Sequence, residues 1–141
     1  MILLDTSGLL SALDSSQKQH QQCRQALIKA RPPFLLSPFV LAEIDYLLAT
    51  RVGVNEELAF LEEVANGAYQ LEPFAAADVS QARAIVDQYR NLEIGVADAS
   101  LVVLSTRHNL VDVLTLDERH FRALRAAGGK RFRIIPTDQK R

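Results

Sequence analysis

The stretch Met1-Ile2-Leu3-Leu4-Asp5-Thr6-Ser7 begins with an apolar run that no polar residue interrupts and ends on a carboxylate. A run without alternation reads as a strand buried on both faces, and such strands belong to parallel sheets covered by helices. Asp5 then falls where the strand ends, and in open α/β sheets the carboxyl ends of the strands are where ligands bind. Asp is equally a preferred helix N-cap, and the hydroxyl of Thr6 or Ser7 could cap the helix that follows. Asp5 is therefore either a cap or a site residue, and the remainder of the chain decides which.

Working outward, the same pattern recurs. Phe34-Leu35-Leu36-Ser37, after the helix-ending Pro32-Pro33, is a second short buried strand. Residues 69–74 alternate and stop at Pro73, which suits an edge strand. Val111-Asp112-Val113-Leu114-Thr115 is followed by Leu116-Asp117, an ending much like Leu4-Asp5, and residues 132–136 make a last strand. Helical spacing fills the intervals. A short helix is expected from Gly8 to Leu13, an amphipathic one over residues 15–30, and another from Pro38 to Thr50. Residues 54–65 predict a helix with Leu58, Leu61 and Ala65 inward and Glu56, Glu57, Glu62 and Glu63 outward. Val79, Ala82, Ile85, Val86 and Tyr89 mark the next helix. Residues 96–104 are apolar nearly all round, as in a helix packed inside the protein, yet carry Asp98 in the first turn. A helix from Glu118 to Ala126, which Asp117 or Thr115 could cap, precedes a turn at Gly128-Gly129. The order predicts an α/β fold, a mainly parallel sheet of four to five strands flanked by helices on both sides, formed by a single domain over residues 1–141 with residues 137–141 as a frayed polar tail.

The bulk numbers fit that picture. The 141 residues are 48% hydrophobic and 23% charged, with a formal charge of −1, as in a globular protein without disordered or low-complexity segments. The single Cys23 cannot form an intramolecular disulfide, no Cys/His spacing resembles a zinc site, and neither a basic leader nor a membrane-length apolar run is present, so a cytoplasmic protein is expected. The small net charge conceals an asymmetry. Residues 107–141 hold nine Lys or Arg against four Asp or Glu, a balance of +5 that leaves −6 for the rest. Such a segment is either a solvated face or a footprint for a phosphate backbone.

Two further acids bear on the site. On the helix after the second strand, Glu43 and Asp45 are separated by about 200° and point apart. Glu43 falls in line with Phe39, Val40 and Leu47 on the apolar side, where a carboxylate needs a partner, whereas Asp45 is expected to face water. Asp98 could complement its helix dipole, but its apolar neighbours would make burial cost more than that interaction returns. If the helix of Asp98 enters from the sheet edge that carries Asp5 and Asp117, four carboxylates converge. Such a group would repel itself unless a cation neutralised it, and an acid-only set suits Mg²⁺ or Mn²⁺, not Zn²⁺. With no better nucleophile in view, metal-assisted attack of water on a phosphodiester follows, which would give the basic C-terminal third a use. A receiver domain would need a lysine at the end of the last strand, where Ile135-Pro136-Thr137 stands. A haloacid-dehalogenase-type phosphatase would need an acid at position 7, which is Ser7, and no Gly-rich phosphate loop occurs. His20, His108 and His120 share no ligand spacing and read as structural or solvated.

Taken together, Leu4-Asp5-Thr6-Ser7, Ser37-Pro38 through Ala42-Glu43-Ile44, Ala97-Asp98-Ala99, and Leu114-Thr115-Leu116-Asp117 with Phe121 behind it resemble the PIN domain, and in particular the small VapC-type toxins of toxin–antitoxin pairs. The resemblance implies a Rossmann-like sheet and an endoribonuclease dependent on Mg²⁺ or Mn²⁺. It further implies that Asp5, Glu43, Asp98 and Asp117 are the acids and metal ligands of the site, with Thr115 as a hydroxyl lining it. It also implies an RNA substrate, a homodimer, and a small antitoxin that blocks the acidic groove. The alternative is a PIN-like domain that binds RNA or a partner without cleaving.

Overall fold

The structure is a computed structural model and describes residues 1–139. Five three- or two-residue strands form one sheet: β1 (Ile2–Leu4), β2 (Phe34–Leu36), β3 (Gln70–Leu71), β4 (Asp112–Leu114) and β5 (Arg133–Ile135). Their order is β3-β2-β1-β4-β5 and every pairing is parallel, with Leu3 opposite both Leu35 and Val113. The unbroken apolar runs are thus explained: Leu3, Leu4, Leu35, Leu36, Val113 and Leu114 have no exposed surface because helices cover both faces.

The helices are α1 (Thr6–Leu13), α2 (His20–Lys29), α3 (Pro38–Arg51), α4 (Val54–Ala65), α5 (Ala76–Gln88), α6 (Val96–His108) and α7 (Glu118–Ala123), with short 3₁₀ turns at Arg90–Leu92 and Ala127–Gly129. The chain leaves β1 toward β2 and β3 on one side and returns beyond β1 to β4 and β5 on the other. The strand order therefore reverses between β1 and β4, and a crevice is expected outside their carboxyl ends. Gly8 lets α1 lie close against that point. A Cβ there would fall 2.5 Å from the Leu114 carbonyl oxygen, which already accepts the Asp5 N–H at 3.0 Å.

Several local expectations are corrected. Neither Thr6 nor Ser7 caps α1; both lie inside it, and Asp5 at the N-cap makes no side-chain capping bond. The helix expected over residues 15–30 begins only at His20, because Asp14 gathers the Ser16 N–H and hydroxyl and the Gln17 amide into a turn. The face of α4 is rotated: Phe60, not Leu58 or Leu61, is buried, in edge contact with Tyr69, while Val54, Leu58 and Leu61 are exposed. A ring with an aromatic partner buries more area than a leucine on the opposite face. The tail is not frayed as far as Gln139. Asp138 receives both Arg122 guanidinium nitrogens and the Ile134 N–H; Lys140 and Arg141 lie outside the described residues.

Candidate active site

Asp5 is held where β1 meets α1 and is only 4% exposed. Its Oδ2 accepts the Thr115 hydroxyl at 2.6 Å and the Ser7 hydroxyl at 2.9 Å. Those hydroxyls in turn accept backbone N–H groups from the loop after β4: Ser7 Oγ from Leu116 and Thr115 Oγ1 from Asp117. Both strand ends of the crevice are therefore tied through one carboxylate oxygen. Burial raises the Asp5 pKa above its ordinary value, the two hydroxyls and the Thr6 N–H pull it down, and the charge of Asp117 pushes it up.

Asp117 follows β4 and is the N-cap of α7, its Oδ1 accepting the His120 N–H at 3.0 Å. One turn on, His120 brings its Nδ1 to 2.8 Å from Asp117 Oδ2 and 3.0 Å from Asp98 Oδ2. Asp98 enters from the first turn of α6. That turn is fixed beside α3 by Ser100, whose hydroxyl donates to the Ala97 carbonyl and meets Ser37 Oγ at 2.7 Å, while Ser37 caps α3 at Phe39 N. Burial first, then the charge of Asp5, raises the Asp98 pKa to about 6; Asp117 adds to the rise and His120 opposes it. Donor atoms of Asp98, Asp117 and His120 lie within 4.8 Å of one another.

Glu43 reaches the same cleft from α3, but by a different route from the one its sequence position indicates. It is exposed at the cleft mouth, not buried on the apolar side, and its Oε1 accepts the Thr6 hydroxyl at 2.5 Å. Asp45 turns instead toward Glu57 of α4, whose pKa rises through a shared hydrogen bond, and does not line the cleft. The cleft itself, about 440 Å³, brings Asp5, Glu43, Asp98 and Asp117 together with His120, and extends between α1 and α3 toward Gln17 and Arg51. Thr115 lies just beneath it, wholly buried.

His120, which the sequence reads as structural or solvated, lines the cleft between Asp98 and Asp117. Its offset of three from Asp117 on a helix, which places both on one face, is the signal that could have found it. A capping role for Ser7 gives no hint of its bond to Asp5, and nothing in the apolar run around Ser100 marks its contact with Ser37. Chemically, four carboxylates and one imidazole nitrogen around a cleft, two of the acids with raised pKa values, form a donor set that fits a hard divalent cation keeping some of its waters.

Comparison with known proteins finds relatives of the chain and of its fold. The family described as PIN domain matches residues 2–127. Ribonuclease VapC26 of Mycobacterium tuberculosis is 46% identical over 135 residues, covering 96% of this chain and all of that one. Two solved structures share the fold. The sarcin-ricin-loop-cleaving toxin VapC20 of M. tuberculosis superposes with a TM-score of 0.77 at 20% identity, over 83% of this chain and 90% of its own. A toxin–antitoxin complex from Klebsiella pneumoniae gives 0.67 at 18% identity, over 88% and 92%.

Proposed function

The chain belongs to the PIN domain family, and from that premise we propose that it is a divalent-metal-dependent endoribonuclease acting as the toxin of a toxin–antitoxin pair. One observation carries the reading: acids from four separate elements, β1–α1, α3, α6 and β4–α7, line a single cleft at the strand-order reversal. Asp5, Glu43, Asp98 and Asp117 are the proposed metal ligands, with the His120 imidazole beside them where Asp98 and Asp117 approach each other. A bound Mg²⁺ or Mn²⁺ would neutralise these acids, polarise a phosphoryl oxygen and make water a better nucleophile.

The remaining steps belong to the protein. Thr115 and Ser7 fix the orientation of Asp5 Oδ2, and the Thr6 hydroxyl holds Glu43 Oε1 toward the cleft. The His120 Nδ1 links Asp98 to Asp117, so both oxygens are oriented before substrate arrives. Such preorganisation avoids reorganising the site during reaction. Residues 1–141 are proposed to act as one domain, in the cytoplasm, as a homodimer controlled by a small antitoxin that occupies the cleft.

The deciding experiment incubates the purified protein with RNA in Mg²⁺ or Mn²⁺ beside its Asp5→Asn and Asp98→Asn variants. Cleavage by the parent alone is the expected result. Cleavage that persists in both variants, or fails with every divalent metal, sinks the enzymatic reading and favours RNA or partner binding without catalysis. Sedimentation as a monomer at micromolar concentration would contradict the dimer.

A further inference from the structure

A polyanion must enter a cleft that carries four acids, and a single divalent cation would leave that cleft negative. A positive side chain is therefore needed along the path. The basic C-terminal segment supplies less than its sequence promises, because four of its arginines are engaged elsewhere and none of its Lys or Arg residues lines the cleft among the described residues. Arg107 binds Glu72 and Asp78, Arg122 binds Glu118 and Asp138, Arg133 binds Asp112, and Arg125 donates to backbone carbonyls. The cleft wall itself contains a different cation. Arg51, the last residue of α3, is the one Lys or Arg lining the cleft among the described residues, it is exposed, and it forms no ion pair there.

Its position follows from helix geometry. Glu43, Leu47 and Arg51 are spaced i, i+4, i+8 and so lie along one face of α3, with the Arg51 backbone roughly 12 Å beyond that of Glu43. On the facing wall, α1 presents Thr6 and Leu10 at the same spacing. The cleft thus runs from the acids, past the apolar side chains of Leu10 and Leu47, to a guanidinium that forms no ion pair with those acids among the described residues. We propose that Arg51 is an RNA-binding residue, its guanidinium taking a phosphate of the RNA backbone away from the scissile one and so setting the direction in which the strand lies along α3. Guanidinium suits this because its planar donors match phosphate oxygens bidentately. The proposal rests on the ribonuclease reading for its substrate, but its test does not rest on cleavage.

Binding of a fluorescein-labelled single-stranded RNA is measured in Mg²⁺ as a function of salt, in the Asp98→Asn background with Arg51 intact, with Arg51→Ala and with Arg51→Lys. Loss of one phosphate contact predicts roughly tenfold weaker binding for the alanine variant and a log–log salt slope lower by about 0.7, with lysine restoring most of the slope and less of the affinity. In the otherwise unaltered protein, Arg51→Ala should raise KM by a similar factor and change kcat by less than about threefold. Unchanged affinity and slope in Arg51→Ala, or a fall in kcat at constant KM, overturns the proposal. If no RNA is cleaved by the parent but binding still depends on Arg51, the nuclease reading fails and this one stands.

Discussion

Asp5 and Asp117 end their strands with the same Leu-Asp signature, face the same cleft, and do different work. Asp5 lies at the N-cap position of its helix but caps nothing; it is almost completely buried, and two hydroxyls occupy one of its oxygens. Asp117 caps α7 in the ordinary way and keeps about a third of its side chain exposed, while its second oxygen meets His120. Helix capping and site chemistry are therefore not rival explanations of a carboxylate. At β4 one residue does both, and at β1 the capping role is absent because the hydroxyls that could have filled it are turned onto Asp5 and Glu43.

The largest expected separation between the two ends is in Asp5→Asn. Cleavage should fall at least about a hundredfold, since the site loses an oriented charge. The metal-free protein should nevertheless melt no lower than its parent, because a buried carboxylate with a raised pKa is replaced by a neutral group of the same shape. A clear drop in melting temperature would make Asp5 a structural residue first. The seat of Asp5 can be disturbed without touching any acid. Gly8→Ala forces a methyl against the Leu114 carbonyl and should cost about 2–4 kcal/mol, read by denaturant unfolding, with activity lost through displacement of α1. An unchanged unfolding midpoint would show that α1 can shift freely against β4.

How far this was legible in the sequence depends on what kind of interaction decides each feature. Unbroken apolar runs mark strands buried on both faces, and an acid that ends such a run, as Asp5 and Asp117 do, or opens an apolar helix, as Asp98 does, stands out because burying it is costly. Glu43 lines the cleft from an exposed position, not from the apolar side its helical wheel indicates, since a wheel cannot show the Thr6 hydroxyl at the cleft mouth. The place of His120 depends on the acid three residues earlier, a pairing that ligand spacing among histidines does not contain. The face of α4 depended on Tyr69, nine residues beyond Phe60, and the charge of the C-terminal segment on Glu72, thirty-five residues before Arg107. Periodicity within one element contains none of that pairing.

Burial of Asp98 beside other acids sets the next effect. Because the Asp98 pKa lies near 6 in the fold against an ordinary value near 4, the native state takes up a proton before the unfolded chain does. The metal-free protein should therefore gain stability as pH falls from about 7 toward 4, by up to roughly 2 kcal/mol, and lose it again as pH rises through 6. Asp98→Asn should make the profile shallower, the raised pKa of buried Asp5 supplying what remains, and saturating Mg²⁺ should flatten it. A parent profile equally flat in EDTA would mean that Asp98 is not destabilised by its neighbours.

The smallest effect isolates the cap at Asp117. Both Asp117→Asn and Asp117→Ala remove one charge from the cleft and relieve its repulsion of Asp5 and Asp98 equally. Only asparagine keeps an oxygen able to accept the His120 N–H and a polar group facing the His120 ring, so the difference between the two variants is the cap together with that neutral contact. In metal-free protein, alanine should be less stable than asparagine by about 1 kcal/mol. At position 5 there is no side-chain cap to lose, so an alanine–asparagine gap there would have to come from the Thr115 and Ser7 hydroxyls left without an acceptor. If Thr115→Val erases the gap at position 5 but leaves that at 117 intact, the two strand ends are held by different interactions. If it erases both, the Asp117 N–H bond to Thr115 Oγ1 couples them, and β1 and β4 present their acids as one unit.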